Sequence, residues 1–230
     1  MKTTTRLSSE ERRAAIIQVA RRMIAANGFD RTTTREVANE AGISEALLFK
    51  HFPTKQELYS AMLLSCQHQH DPATERLKAL EPSTSTLVVT VHYLFSRMVG
   101  REPNRDDDDE SIQFRLTLRS LMEDGEFARL QVVARSSCWI GKVVDCLKEA
   151  IAAGDAVNGP MPSDMRAWFA HHVAVMMKIY LRPEEPVVDY KVSREKLVEY
   201  AVWFTLRGMG VKDEAIKRYY SPKALALLAK

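Results

Sequence analysis

No stretch of the sequence is long and apolar enough to span a bilayer. The longest apolar run, LVVTVHYLF at 87–95, falls far short of the roughly 18 residues required. The opening MKTTTRLSSEERRAA lacks the apolar core of a secretory leader, so a cytoplasmic protein is expected. Cysteine is scarce, at three. On one helix, Cys138 and Cys146 would stand about 12 Å apart along the axis. That exceeds the roughly 7 Å a disulfide bridges, so thiols packing as small hydrophobes are expected. A Gly-rich phosphate loop and a serine nucleophile elbow are both absent. CQHQH at 66–70 sets Cys66 and His70 four apart, yet no third residue follows at a metal-ligand spacing. His171 and His172 point about 100° apart on a helix and suit packing better than catalysis. Neither an enzyme nor a bound cofactor is expected.

Charge of one sign is also nearly lacking, since the net is only +3. Its placement is more informative. Residues 1–58 carry ten basic side chains against seven acids, so that quarter holds the whole excess and the remainder is neutral. A basic segment on a neutral body points weakly to a polyanionic partner. Hydrophobic content of 46% with 27% charged residues belongs to a globular chain.

What the sequence does hold is helix punctuation. Ser8–Glu11, Thr33–Glu36 and Thr54–Glu57 each read as a capping box. After the first, Ile16, Ile17, Ala20, Met23 and Ile24 recur at helical spacing up to Asn27–Gly28, a left-handed cap after which Phe29 can fold back. The second opens a short helix to Ala41, with Val37, Ala38 and Ala41 on one face and Gly42 as its stop. Ser44 caps a second short helix, Glu45 to His51, which Pro53 ends. Two short helices around a glycine-containing break form a helix-turn-helix layout. Leu48 and Phe52 should face inward with Val37, Ala41 and Ile43, leaving Glu45, Ala46, Phe49 and Lys50 nearer the outside.

A long helix follows from Lys55. STLVVTVHYLFSRMV reads as helix from Leu87, Val91, Leu94 and Met98, and GREPNRDDDDE as a solvated polar loop or helix start. Further helices are expected at 111–123, 126–153, 163–181, 194–209 and 212–228. With no internal repeat and little β alternation, the chain is expected to be all-α.

The stretch TTTREVANEAGISEALLFKHFPTKQELYSAML resembles the DNA-binding domain of TetR-family transcriptional regulators over about residues 10–63, and LVEYAVWFTLRGMGV more loosely resembles the family's last helix. The resemblance implies an N-terminal three-helix DNA-binding domain, residues 1–54, joined to a larger helical effector-binding and dimerisation domain, residues 55–230. It implies a homodimer on palindromic double-stranded DNA, most simply a repressor released when a small apolar or aromatic molecule binds. The DNA-contacting residues would be Thr33, Arg35, Ser44, Glu45, Ala46, Phe49, Lys50, His51 and Lys55, with Lys2 and Arg6 as an arm. The chain departs from the family's pattern at Glu45, Leu47, Phe49 and His51, leaving fewer polar donors. Glu45 suits either acceptance from a cytosine amino group or a favourable place at the helix dipole. An effector pocket is expected from Met62, Phe95, Met98, Phe114, Leu118, Trp139 and Met176. A dimer interface is expected from Phe169, His172, Met176, Ala201, Phe204 and Gly208.

Overall fold

The computed structural model describes residues 8–65, 72–100, 109–123 and 125–221, without the side chains of 63, 64, 109 and 133–138. Lys2, Arg6, the Cys66–His70 cluster, the Cys138 thiol and most of the acidic loop lie outside that description. Among the described residues there are eleven α-helices and no strand beyond a single bridge between Ala156 and Val211. They are α1 (Ser9–Asn27), α2 (Thr34–Glu40), α3 (Glu45–His51), α4 (Lys55–Ser65), α5 (Pro72–Ala79), α6 (Thr84–Phe95), α7 (Asp109–Met122), α8 (Glu126–Ala152), α9 (Ser163–Leu181), α10 (Arg194–Gly208) and α11 (Asp213–Tyr219). None is long and apolar enough to cross a membrane.

The helix ends follow local chemistry. Ser8 and Thr33 each close a full capping box with Glu11 and Glu36, and the Ser44 hydroxyl accepts from the Leu47 N–H. Gly42 takes φ +65°, the left-handed step that ends α2 without a Cβ penalty. Gly28 departs from the expected left-handed cap. Its φ +91° and ψ 163° lie in a region essentially reserved for glycine, and a Cβ there would meet Arg119 Nε at 2.7 Å. The apolar run of α6 is helical as expected, but it opens into a π-helical turn at Ser96–Gly100. That turn leaves the Val99 carbonyl to accept from Arg194 Nη1 at 3.0 Å. The last described helix ends at Tyr219, where Tyr220 is extended and Ser221 precedes a proline, and residues 222–228 of the expected helix lie outside the described residues.

Contacts group the chain into two compact units: Met1–Gln69 with Arg105–Arg135, and His70–Asn104 with Ser136–Lys230. The first has a core of Ile16, Ala20, Ile24, Val37, Leu48, Phe52, Leu58 and Met62, with Ile112 and Leu116 of α7 packed among them. The second has a larger core drawn from α6, α8, α9, α10 and α11, including Leu87, Val91, Phe95, Val143, Leu147, Ala170, Val202 and Leu206. Arg166 is buried there, with its Nε and Nη1 donating to the carbonyls of Met161, Val157 and Met209 at 2.9, 2.9 and 3.1 Å.

Candidate nucleic-acid interface

The seven residues of α3 divide cleanly. Leu48 is fully buried and Phe52, the residue that ends the helix, is buried beside it. Ala46, Phe49 and Lys50 are exposed, as are Ser44 and Arg35. Phe49 shows 41% of its surface on a helix whose other side is core, which is the arrangement a groove-entering helix needs.

Both ends of α3 are fastened to earlier helices. At its start, the Thr34 hydroxyl on the first turn of α2 donates to Glu45 Oε1 at 2.7 Å. At its end, Arg13 Nη1 of α1 donates to the His51 carbonyl at 2.6 Å, and the same guanidinium lies 4.1 Å over the Phe52 ring. Glu45 is therefore half-buried and engaged, whereas Phe49 and Lys50 are open to a partner.

Lys55 has a distinct setting. Its ammonium sits 4.1 Å over the Phe29 ring and donates to the Phe29 carbonyl at 2.5 Å. Phe29 in turn rests on Tyr59, with ring centroids 4.7 Å apart. Thr33 is exposed but bonded with Glu36 in both directions. The Thr33 N–H first, and its hydroxyl second, hold the Glu36 carboxyl below its usual pKa. The structure thus gathers Ser44, Ala46, Phe49 and Lys50 on one open face, with His51 half-buried at the helix end. Thr34, Arg13 and Phe29, which hold this face in place, carried no signal in the sequence because each acts on a residue at least eleven positions away.

A second anchoring point lies at the carboxyl end of α1. That helix has no basic residue in its last turn. Arg119 of α7 supplies the charge, donating to the Ala26 and Asn27 carbonyls at 3.0 and 2.9 Å.

The expected pocket residues separate by unit. Met62 is wholly buried in the first core, and Phe114 and Leu118 are half-buried on α7. Leu118 lines an open groove with Ala25, Arg115, Arg119 and Met122. In the second unit Phe95 is wholly buried, Met98 and Trp139 pack against the core, and Met176 is exposed. The expected interface residues Phe169, His172, Met176, Phe204 and Gly208 are all exposed. Met165, Tyr180 and Tyr200 extend the same outward apolar faces of α9 and α10. Ala201 differs, at 6% exposure inside the unit's own core. Among the described residues no group of three or more His, Cys, Asp or Glu side chains could hold a metal.

Residues 16–62 match the family model for bacterial regulatory proteins of the tetR family. The chain is similar to the probable HTH-type transcriptional regulator ArpR of Pseudomonas putida, 36% identical over 81 residues, which are 34% of this chain and 39% of that one. It is also similar to the HTH-type transcriptional regulator TtgR of Pseudomonas putida, 37% identical over 67 residues, covering 29% of this chain and 32% of that one. The matched stretch thus spans about a third of these curated relatives. The fold reaches further. AibR, solved with isovaleryl coenzyme A and operator DNA, aligns over 84% of this chain and 97% of its own, with TM-score 0.60 at 16% identity. Over residues 16–62, the chain carries the N-terminal domain pattern of the tetR family of bacterial regulatory proteins.

Proposed function

We propose that the chain is a sequence-specific DNA-binding transcriptional regulator that works as a twofold dimer. The observation that carries this reading is the open face of α3, with Ala46, Phe49 and Lys50 exposed on a helix fixed at both ends. Ser44 and Lys50 offer hydrogen bonds to base edges or phosphates, and Ala46 offers an apolar contact for a thymine methyl. The exposed Arg35 and the start of α2 at Thr33 suit the phosphate backbone. Glu45 and Lys55 serve first to hold the domain together.

One such helix contacts only a few base pairs, too few against the roughly 10⁶ or more competing sites of a genome. A second copy doubles the site and makes it palindromic. The outward faces of α9 and α10, with Phe169, His172, Met176, Phe204 and Gly208, supply the surface for that copy. The operator complex of AibR supports DNA binding by this fold, and its isovaleryl coenzyme A supports a small-molecule effector. The helical body beyond residue 54 then holds the effector site. A small apolar or aromatic molecule that binds the DNA-incompetent arrangement more tightly releases a repressor from its operator.

Titrating salt against binding to the DNA upstream of the chain's own gene tests this reading. Affinity falls steeply with salt and is weakened by Lys50→Ala; an affinity indifferent to both overturns it.

A further inference from the structure

In the second unit, α8 and α9 bring Trp139 and His171 together with ring centroids 6.2 Å apart. Trp168 meets His171 edge-on at 5.7 Å, and His172 lies 5.9 Å from it. Both tryptophans pack against the apolar core of the unit. Within this aromatic setting, Trp139 Nε1 and His171 Nδ1 are each buried and find no hydrogen-bond partner among the described residues. A buried indole N–H normally has an acceptor, and native interiors leave few polar atoms unpaired. Two such atoms, on rings whose centroids are 6.2 Å apart, can be satisfied together by one occupant between them.

The chemistry of the two nitrogens selects that occupant. The indole N–H only donates, so the occupant must accept. Burial, aided by the neighbouring His172, lowers the His171 pKa to about 4, which keeps the ring neutral near pH 7. With the ring proton on Nε2, Nδ1 is left as an acceptor. The occupant must therefore also donate. A carboxylate has no proton for Nδ1, an ammonium has no lone pair for the indole, and an ether lacks the donor. A single hydroxyl oxygen does both, and the flanking rings favour an aromatic body behind it.

We propose that Trp139 and His171 are the polar anchor of a ligand site for an uncharged hydroxylated aromatic molecule, whose hydroxyl oxygen accepts from Trp139 Nε1–H and donates to His171 Nδ1. This deepens the effector-responsive reading, and rests on that reading for its consequence on DNA but not for binding itself.

The test uses the full chain, labelled at its indole nitrogens, titrated with phenol, 4-ethylphenol and 4-phenylphenol and with their methyl ethers. The Trp139 indole N–H resonance, assigned by its loss in Trp139→Phe, moves downfield with the phenols, which bind about tenfold or more tightly than the ethers. His171→Phe lowers phenol affinity by a similar factor, while Trp203→Phe, whose ring packs beneath the Arg207 guanidinium of α10, leaves it unchanged. Thermal melts establish that each variant is folded. Equal binding of phenols and ethers, no binding by either, or phenol affinity unchanged in a folded His171→Phe variant overturns the site. Operator release is followed separately on the same samples. Phenol binding without release leaves the anchor standing and overturns the effector reading, whereas absent binding with intact operator affinity overturns the anchor alone.

Discussion

Arg119 closes the carboxyl end of α1 from another helix, its Nη2 donating to the Asn27 carbonyl at 2.9 Å. Gly28 lies directly beneath the guanidinium, so two constraints meet at one residue: a backbone angle of +91° and no room for a Cβ. Gly28→Ala is expected to cost about 1–3 kcal/mol of stability. Arg119→Ala removes the clash but also the two carbonyl partners, so the double variant is less destabilised than the sum of the singles. A double-mutant cycle by urea unfolding measures the difference.

Lys50 and Lys55 are five positions apart and should behave in opposite ways. Lys50 is exposed, so Lys50→Ala leaves stability within about 0.5 kcal/mol and lowers the salt slope of DNA binding by about 1. Lys55→Ala loses the contacts to Phe29 and lowers stability by about 1 kcal/mol. Urea midpoints and fluorescence anisotropy against labelled operator separate the two effects.

Phe204 is 68% exposed, so replacing it leaves the core of its own unit intact. Phe204→Glu places a charge on the outward face of α10 and is expected to prevent pairing of two copies. Light scattering at micromolar concentration should report twice 26.1 kDa for the unaltered chain and 26.1 kDa for the variant, with operator affinity falling in parallel.

Acid should weaken the second unit through its buried imidazoles. Burial lowers the pKa of His92, and lowers that of His171 from 6.5 to about 4 with His172 adding to the effect. Between those values the unfolded chain binds a proton that folded His171 refuses. Stability is therefore unaffected by this group above about pH 6.5, falls as the pH drops towards 4, and levels off below. Unfolding midpoints of His171→Phe measured across that window should decline less than those of the unaltered chain.

Most helix ends were legible because caps act within four residues: Ser8, Thr33, Ser44 and Gly42 all perform as their local chemistry predicts. The inner and outer sides of α3 followed from helical period alone. Long cationic side chains escaped notice, since Arg119 reaches 92 positions back to Asn27 and Arg166 reaches 43 forward to Met209. Glu45 could not be assigned from sequence, because Thr34, its partner, sits on another helix. On α10 the difficulty was different. Leu197 and Ala201 face inward while Tyr200 and Phe204 face out, and no polar stripe marks the boundary between two apolar sides.

The bonds from Thr34 to Glu45 and from Arg13 to His51 have a thermodynamic consequence. A helix of seven residues is too short to persist by itself in water, yet α3 is tied at both ends before any DNA arrives. Docking then orders side chains and releases ions without folding a segment. Its heat-capacity change should match the surface covered by a rigid body, with none of the excess that accompanies coupled folding.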